Sequence, residues 1–353
     1  MEKIGVVGLG IMGAGIVEVF AKANFSVVGI AESDAAVELG QSNLAKSLNR
    51  AVSREKITSE QAADITARVS WGTDFALLKD CDLVVEAAPE IMSLKAKIFA
   101  ELDSHVKASA ILASNTSSLS VTEISQATNR RSRVVGLHFF NPAPVQKFVE
   151  VISTDHSDSD VISTVVELAK SLGKEPAQIG DQPGFIVNKL LLRYLNHAVR
   201  LIDDGLSTRD TIDAAMRELA HFPMGPLELL DLVGLDTSVE VLNTIYDDTG
   251  LDTDGPASGL TARVNIGDFG RKSGKGFYSY EQPHVAATSD DDMAKSRVYV
   301  ELLNAYLDSA REMRDSGYAT ESDINLGMKL GCGLPEGPFE TIARIGSDRL
   351  PVN

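Results

Sequence analysis

Cysteine and positive charge are both scarce in this sequence. The 353 residues include only two cysteines, Cys81 and Cys332, which have no metal-ligand spacing and are too few for a disulfide framework. Such a chain fits a reducing compartment, and we expect it in the cytoplasm. Lysine and arginine number 33 against 50 acidic residues, a formal net charge of −17. A surface of that charge repels phosphate backbones, so we expect no nucleic-acid partner, and an anionic substrate would need local positive charge.

Long apolar runs are missing as well. None reaches the roughly 18 residues that a membrane-spanning helix needs, so no membrane span is predicted. The opening MEKIGVVGLGIMGAGIVEVFAKA imitates a secretory signal peptide, with Lys3 followed by an apolar stretch. However, Glu18 interrupts that stretch, and its glycines follow a pattern typical of a strand, a turn and a helix. We therefore interpret it as part of the folded domain.

From Lys3 to about Ile152, short apolar runs alternate with helical patterns. The runs are KIGVVG, SVVGIA, DLVVEAA, ASAILASN, RVVGLHFF and FVEVI. This alternation predicts βαβ units, and therefore an α/β fold that begins with a Rossmann-like, doubly wound, mostly parallel sheet. After Pro183 the helical periodicity continues to the C-terminus. We therefore predict a nucleotide-binding domain over residues 1–182, followed by all-α domains.

The helical part contains an internal repeat. GLSTRDTIDAAMRELAHFPMGPLE begins at Gly205, and GYATESDINLGMKLGCGLPEGPFE begins 112 residues later at Gly317. The same offset relates LLLRYL at Leu190 to LLNAYL at Leu302, and it pairs Gly234 and Asp236 with Gly346 and Asp348. The repeat predicts a helical domain over residues 183–286 and a partial second copy over residues 287–353. RKSGKGFYSY has no counterpart in the second copy, which we expect to supply a packing surface.

The glycines of GLGIMG, at Gly8, Gly10 and Gly13, follow the first predicted strand and begin a helix. The first permits a tight turn, the second lets backbone approach a pyrophosphate, and the third lets helix and strand pack closely. Ile11 and Met12, which lie between Gly10 and Gly13, belong to the same predicted phosphate-binding turn. The spacing predicts a dinucleotide cofactor.

An acidic residue at the end of the next strand should bind the adenosine ribose. SVVGIAESD has Ala31 where aspartate is usual and Glu32 directly after it, so Glu32 is the candidate. No arginine follows before Arg50 to accompany a 2′-phosphate. The sequence therefore favours NAD over NADP.

Two further stretches carry polar residues beside predicted strands. ASNTSSLSVTEI places hydroxyls at the carboxyl edge of the sheet, although Ser120 and Glu123 also have capping-box spacing. GLHFFNPAPVQKFVEV has His138 in an apolar run and Glu150 twelve residues later. A lone histidine there is usually a core residue, but the intervening prolines redirect the chain, so two neighbouring strands would bring the pair together.

Several motifs together resemble the L-3-hydroxyacyl-CoA dehydrogenase family, including 3-hydroxybutyryl-CoA dehydrogenases. They are SNTSS, GLHFFNPAPVQKFVEV, PGFIVNKLL, PMGPLELLDLVGLD and RKSGKGFYSY, in matching order within residues 3 to about 280. The resemblance implies NAD-dependent oxidation of an L-3-hydroxyacyl-CoA, such as 3-hydroxybutyryl-CoA, to 3-oxoacyl-CoA in fatty-acid β-oxidation. The C-terminal copy resembles the extra helical domain of the fatty-acid oxidation multienzyme.

The resemblance also implies roles for individual residues. His138 would be the general base, Glu150 its carboxylate partner, and Ser117 and Asn188 the groups beside the reacting oxygen. Histidine suits that role because its pKa lies near neutrality, and a carboxylate on the far ring nitrogen selects the tautomer and stabilises the imidazolium.

Five further residues match family positions. For the charged residues among them, the alternative interpretation is an ordinary solvated surface position. Glu90, Lys95 and Lys272 match family positions near the cofactor. Ser47 and Arg54 match a serine and a lysine that contact coenzyme A, with arginine retaining the charge. No metal site is expected, because the remaining histidines have no ligand spacing; these are His105, His156, His197, His221 and His284.

Three alternatives remain open at this stage. GLGIMG also resembles the opening of hydroxyisobutyrate and phosphogluconate dehydrogenases, which would make Lys189 essential and the substrate a free hydroxyacid. Some sugar-acid dehydrogenases share the fold, and a non-catalytic NAD-binding protein is a third interpretation. The oligomeric state is likewise open: the second copy either replaces a dimer partner in a monomer with a pseudo-dimeric helical core, or leaves a homodimer like that of one-copy relatives.

Overall fold

The computed structural model of this chain describes residues 1–282, 285–347 and 349–350. It divides into two compact units, Met1–Gln182 and Pro183–Asn353. The first unit is built on one mixed sheet and the second unit is helical. The predicted fold class, a Rossmann-like sheet followed by helices, is confirmed. The division of the helical part at residue 286 stays a prediction.

The sheet of the first unit has the strand order β3-β2-β1-β4-β5-β6-β7-β8. The strands are β1 (Lys3–Val7), β2 (Ser26–Ile30), β3 (Val69–Gly72), β4 (Leu83–Glu86), β5 (Ile111–Ser114), β6 (Val134–Phe139), β7 (Phe148–Ser153) and β8 (Glu175–Gly180). Neighbouring strands are parallel except β6 and β7, which are antiparallel. The order reverses beside β1, and ligands of open α/β sheets bind at such a point, outside the carboxyl ends of the strands.

The six apolar runs of the sequence form β1, β2, β4, β5, β6 and β7. Every residue of β4, β5 and β6 is buried, which explains why these strands are continuous apolar runs rather than alternating patterns. Three buried residues of these strands are nevertheless polar: Glu86, Ser114 and His138, each last or next to last in its strand. The carboxyl edge of the sheet core therefore carries a row of polar side chains.

Helices cover the sheet and connect its parallel strands. They are α1 (Ile11–Lys22), α2 (Asp34–Ser53), α3 (Ser59–Ala67), α4 (Met92–His105), α5 (Val121–Ser125) and α6 (Ser159–Ser171). Ser120 caps α5 by accepting a hydrogen bond from the Glu123 N–H, and its hydroxyl donates to Asp181. The cap fixes the end of the loop that runs from β5 through Ser117.

The second unit consists of helices. They are α7 (Val187–Asp203), α8 (Arg209–Glu218), α9 (Pro226–Val233), α10 (Leu235–Thr249), α11 (Ser258–Asn265), α12 (Asp292–Asp315), α13 (Glu321–Leu326) and α14 (Pro338–Ile345). The long helix α12 packs against both α7 and α8. Its buried face includes Val298, Leu302 and Tyr306. Part of the core of this unit is therefore formed between the first helical copy and the second.

The repeat is visible in matching contacts 112 residues apart. The Asp213 carboxylate accepts the N–H of Leu227 at the start of α9, and Asn325 accepts the N–H of Phe339 at the start of α14. Arg217 pairs with Glu228 as Lys329 pairs with Glu340. Gly234 and Gly346 both have positive φ, whereas Asp348, paired with Asp236 from the sequence, lies outside the described residues. The second copy keeps the local framework of the first.

Candidate active site

The turn between β1 and α1 has no room for a side chain at two of its glycines. Gly8 has a φ of 90°, and a Cβ there would lie 2.8 Å from the backbone of Ala87 and Ala88. A Cβ on Gly13 would lie 1.7 Å from the carbonyl oxygen of Gly8. These two glycines are therefore required by the close packing of α1 against β1 and the neighbouring β4.

The middle of the same turn is open to a ligand. No atom lies within 4 Å of a Cβ built on Gly10, and Gly10 is the N-cap of α1. Ile11 is exposed and Met12 half-buried in the first helical turn. N–H groups in a first turn have no acceptor within the helix, and the helix dipole favours negative charge there. Because Gly10 has no side chain, a pyrophosphate can approach the backbone at the N-terminus of this helix.

A cavity of about 380 Å³ adjoins this turn at Gly8. It is lined by Gly8, by Ile30 and Glu32 around the end of β2, and by Phe75 and Leu94. The Glu32 side chain is exposed, whereas Ala31 is buried. A largely apolar cavity with the Glu32 carboxylate beside the end of β2 fits an adenosine, so the chain's residues suit a dinucleotide. Phe75 and Leu94 were not anticipated, since they come from segments distant in the sequence.

His138 and Glu150 form a buried pair. The His138 Nδ1 lies 2.6 Å from Oε2 of Glu150, and their residues are 5% and 0% exposed. Since a carboxylate only accepts hydrogen bonds, the pairing places the ring proton on Nδ1 and leaves Nε2 as an acceptor. The Ser117 Oγ lies 3.0 Å from that Nε2. A hydroxyl, an imidazole and a carboxylate are thus joined in one line.

The loop that carries Ser117 is held by Glu90. One oxygen of Glu90, Oε1, accepts hydrogen bonds from the Thr116 hydroxyl, from the N–H groups of Ser117 and Ser118, and from the Ser118 hydroxyl, at 2.5 to 3.2 Å. Burial alone would raise the pKa of Glu90, but attraction to Lys95 and these hydrogen bonds outweigh it, so the pKa is lowered. Glu90 is therefore ionised while it binds the loop.

Lys95 is buried between two carboxylates. Its Nζ lies 2.8 Å from Oε1 of Glu86 and 3.3 Å from Oε2 of Glu90, and it also donates to the carbonyl of Ala88. Lys95 is 1% exposed. The proximity of Lys95 to the cofactor stays a prediction. Within the first unit, its ammonium contacts Glu86, Glu90 and the Ala88 carbonyl, which surround the loop that carries Ser117.

The loop between β6 and β7 is held by a lysine that the sequence analysis did not single out. Lys174, directly before β8, donates to the carbonyl oxygens of Ala143 and Gln146 at 2.6 Å each. Burial, with repulsion from Lys22, lowers the pKa of Lys174 to about 8. A Cβ on Gly15 of α1 would lie 3.3 Å from that of Ala143. The loop beyond His138 therefore packs against the helix of the glycine turn.

The remaining predicted residues lie elsewhere. Ser47 lies in α2, and Arg54 is the exposed C-cap of that helix. Their spacing of seven residues places both on one face of the helix. Asn188 is half-buried in the first turn of α7, in the second unit. Lys272, also in the second unit, donates to Asp236 at 2.6 Å. The predicted roles of these four residues stay predictions.

Within the described part of the chain, no group of three or more histidine, cysteine, aspartate or glutamate side chains is arranged to hold a metal ion. His284 lies outside the described residues. Among the helices described, none combines the length and apolarity needed to cross a bilayer.

Comparisons with known proteins cover both units. The family model described as 3-hydroxyacyl-CoA dehydrogenase, NAD binding domain, matches residues 3–182, and that of the C-terminal domain matches residues 184–280 and 298–351. The 3-hydroxybutyryl-CoA dehydrogenase of Clostridioides difficile is 41% identical over 281 residues, 79% of this chain and 100% of that protein. The human mitochondrial hydroxyacyl-coenzyme A dehydrogenase is 38% identical over 288 residues, 80% of this chain and 92% of that protein.

A solved structure extends the similarity to nearly the whole chain. The crystal structure of 3-hydroxybutyryl-CoA dehydrogenase from Escherichia coli K12 matches with a TM-score of 0.91 at 28% identity. The match covers 98% of this chain and 91% of that one. The similarity therefore includes the second helical copy as well as the sheet.

Proposed function

This chain belongs to the 3-hydroxyacyl-CoA dehydrogenase family, and we propose that it uses His138 to oxidise the 3-hydroxyl of a short-chain L-3-hydroxyacyl-CoA, such as 3-hydroxybutyryl-CoA. It is an NAD-dependent oxidoreductase, and the product is the 3-oxoacyl-CoA. The observation that carries the proposed role is the hydrogen-bonded series of Ser117, His138 and Glu150 at the carboxyl edge of the sheet, in which His138 and Glu150 are buried.

The proton of the substrate hydroxyl is taken by His138. Its Nε2 is the acceptor in the tautomer that Glu150 selects, and the imidazolium formed is stabilised by the Glu150 carboxylate 2.6 Å from Nδ1. NAD, held by the residues of the first unit, would supply the acceptor for the hydride that leaves the same carbon. Ser117, beside Nε2, holds the oxygen as it changes from alcohol to carbonyl, and we assign Asn188 to the same oxygen on the family resemblance.

The cofactor is held by the turn and cavity of the first unit. Gly8 and Gly13 shape the turn, while Gly10, Ile11 and Met12 offer backbone N–H groups to the pyrophosphate. Glu32 accepts hydrogen bonds from the adenosine ribose hydroxyls, and its negative charge repels a 2′-phosphate. We keep Glu90, Lys95 and Lys272 as proposed neighbours of the cofactor.

The coenzyme A moiety is assigned to Ser47 and Arg54. The two residues lie on one face of α2, and a guanidinium there provides the local positive charge that a polyanionic substrate needs on a chain of net charge −17. The proposed context is fatty-acid β-oxidation in the cytoplasm, which agrees with a chain that has only two cysteines.

One panel of assays tests these proposals. Turnover is measured with 3-hydroxyacyl-CoAs of increasing chain length, each with NAD and with NADP, and compared with free 3-hydroxybutyrate and a sugar acid. We expect turnover with the short-chain thioester and NAD. Turnover only with a free acid would favour the hydroxyacid or sugar-acid alternative. NAD binding without turnover of any substrate would favour a non-catalytic NAD-binding protein.

For the assembly, we propose a monomer in which the second copy occupies the position of a dimer partner. The support is the packing of α12 from the second copy on α7 and α8 of the first. Leu302, which matches Leu190 of α7 in the repeat, is fully buried within that helical core. A homodimer is the alternative.

A further inference from the structure

Glu86 is a carboxylate with no exposed surface and no role in the proposed chemistry. It is the last residue of β4, and both of its oxygens accept hydrogen bonds. Oε1 accepts from the Ala88 N–H at 2.6 Å and from Lys95 Nζ at 2.8 Å, while Oε2 accepts from the Ser114 hydroxyl at 2.7 Å. A buried charge is costly unless fully paired, so this arrangement commits all of these groups to one geometry.

Two connections lead from Glu86 to the loop of Ser117. The first runs through Lys95, whose ammonium also contacts Glu90, the carboxylate that binds the N–H groups of Ser117 and Ser118. The second runs through Ser114, whose hydroxyl oxygen accepts the Thr116 N–H at 3.3 Å. Both connections end on the backbone of residues 116–118.

That loop sets the position of the Ser117 hydroxyl against the His138 imidazole. Ser117 Oγ and His138 Nε2 are 3.0 Å apart, and a displacement of about 1 Å between reacting groups can lower a rate about 100-fold. Lys95 contacts both Glu86 and Glu90, so the position of the ammonium beside Glu90 is fixed in part by its closer contact with Glu86.

We propose that Glu86 is a positioning residue, which holds Lys95 and Ser114 so that Glu90 and Thr116 fix the loop presenting Ser117 to His138. In this arrangement Lys95 is the counter-ion of both Glu86 and Glu90, and it acts on the loop through Glu90. The inference rests on the proposed function for its kinetic consequence, but the ordering of the loop is independent of it.

The variants that test this are Glu86→Gln, Lys95→Met and the double variant, in the full chain with NAD and 3-hydroxybutyryl-CoA. Glu86→Gln keeps the shape and removes the charge, and we expect kcat to fall about 10-fold; for Lys95→Met we expect about 100-fold. KM for NAD should change by less than about 3-fold in Glu86→Gln; Lys95 is itself a proposed neighbour of the cofactor, so the KM criterion is applied to the Glu86 variant alone. The double variant should lose less than the product of the single losses, because both act on the same loop.

The matched control is Asp103→Asn. Asp103 lies on the same helix as Lys95 and pairs with Arg130 near the other end of α4. We expect its kcat to be unchanged. The positioning role is overturned if Glu86→Gln has the same kcat as this control. It is also overturned if the fold-loss of kcat in the double variant equals the product of the fold-losses in Glu86→Gln and Lys95→Met.

Hydrogen exchange of the backbone amides separates this inference from the proposed function. In Glu86→Gln and Lys95→Met, the amides of residues 116–119 should exchange at least about 10-fold faster, with those of β5 and β6 unchanged. This result would support the inference even in a chain that turned over no hydroxyacyl-CoA. Faster exchange across the whole sheet, with NADH binding lost in parallel, would mean that Glu86 only stabilises the fold and would contradict the positioning role.

Discussion

His138 and Glu150 are direct partners in the antiparallel register of β6 and β7, and their side chains meet at 2.6 Å on one face of the sheet. A shift of the register by one residue would send one of the two side chains to the opposite face. The register is supported by the neighbouring pairs, since Leu137 and Val151 are both buried on the other face. The orientation of the imidazole is therefore set by the sheet itself.

Replacing His138 with glutamine should abolish turnover while NADH binding persists. The amide cannot take up the hydroxyl proton, and loss of a general base lowers kcat by about 10²- to 10⁴-fold. Stopped-flow hydride transfer and fluorescence titration with NADH measure the two properties. His156→Gln, at an exposed histidine of the same unit, is the control. Normal turnover in the His138 variant would refute the assigned mechanism.

Glu150→Gln should lower kcat by about 10³-fold with little change in KM. An amide in place of the carboxylate can donate to Nδ1, which favours the wrong tautomer, and it cannot stabilise an imidazolium. The measurement is kcat for the oxidation as a function of pH. Glu167→Gln, at an exposed position of α6, controls for the loss of one charge from the unit. Equal activity of the two variants would contradict the assigned partnership.

Glu32→Ala should raise KM for NAD by about 10-fold and reduce the preference of the enzyme for NAD over NADP. The variant loses hydrogen bonds to the ribose hydroxyls, each worth about 1 kcal/mol or more when the acceptor is charged, and it no longer repels a 2′-phosphate. Initial rates with both cofactors measure this. Glu38→Ala, on the exposed face of α2, should leave both constants unchanged. An unaltered KM in the Glu32 variant would move the ribose site elsewhere.

Asp213 should make the stability of the helical unit depend on pH. Burial raises its pKa to about 6, against hydrogen bonds from Leu227, Tyr278 and Glu228 that lower it. Because the pKa is higher in the folded than in the unfolded chain, this group's contribution to stability is greatest below about pH 4 and is lost as the pH rises through about 6. The difference between the two limits is at most about 3 kcal/mol.

Asp213→Asn removes this titration, and asparagine is the residue that the second copy has at the matching position, Asn325. We therefore expect the unfolding free energy of the wild type, minus that of the variant, to be larger at pH 4.5 than at pH 7.5. Urea unfolding followed by circular dichroism at both pH values checks the sign. A difference that does not change with pH, or that grows as the pH rises, would contradict the assignment.

A chain ending at Tyr280 should form dimers, whereas the intact chain should be a monomer. The shortened chain lacks α12 and exposes the apolar surfaces of α7 and α8 that α12 covers. Sedimentation velocity on both chains is the measurement. An intact chain that is itself a dimer through the same helical surface would show that the second copy does not replace a partner. Circular dichroism of the shortened chain verifies that its remaining helices are folded.

Much of the fold was accessible from local patterns. Apolar runs predicted the six inner strands, because strands buried on both faces are continuously apolar, and an offset of 112 residues revealed the repeated helical unit. The edge strands β3 and β8 were not identified. VSWG and EPAQIG are short and partly exposed, so burial leaves little apolar signal in them.

Motif spacing pointed to a dinucleotide turn, since glycine geometry is a local property of a chain, and the family resemblance implied the pairing of His138 with Glu150. The network of Glu86, Lys95 and Glu90 behind Ser117 came only from the folded structure. These residues belong to β4, to α4 and to the loop between them, and no spacing in the sequence indicates that their charges meet. Only the parallel alignment of β4 with β5 brings Glu86 beside Ser114 and turns a solvated carboxylate into a buried, fully hydrogen-bonded one.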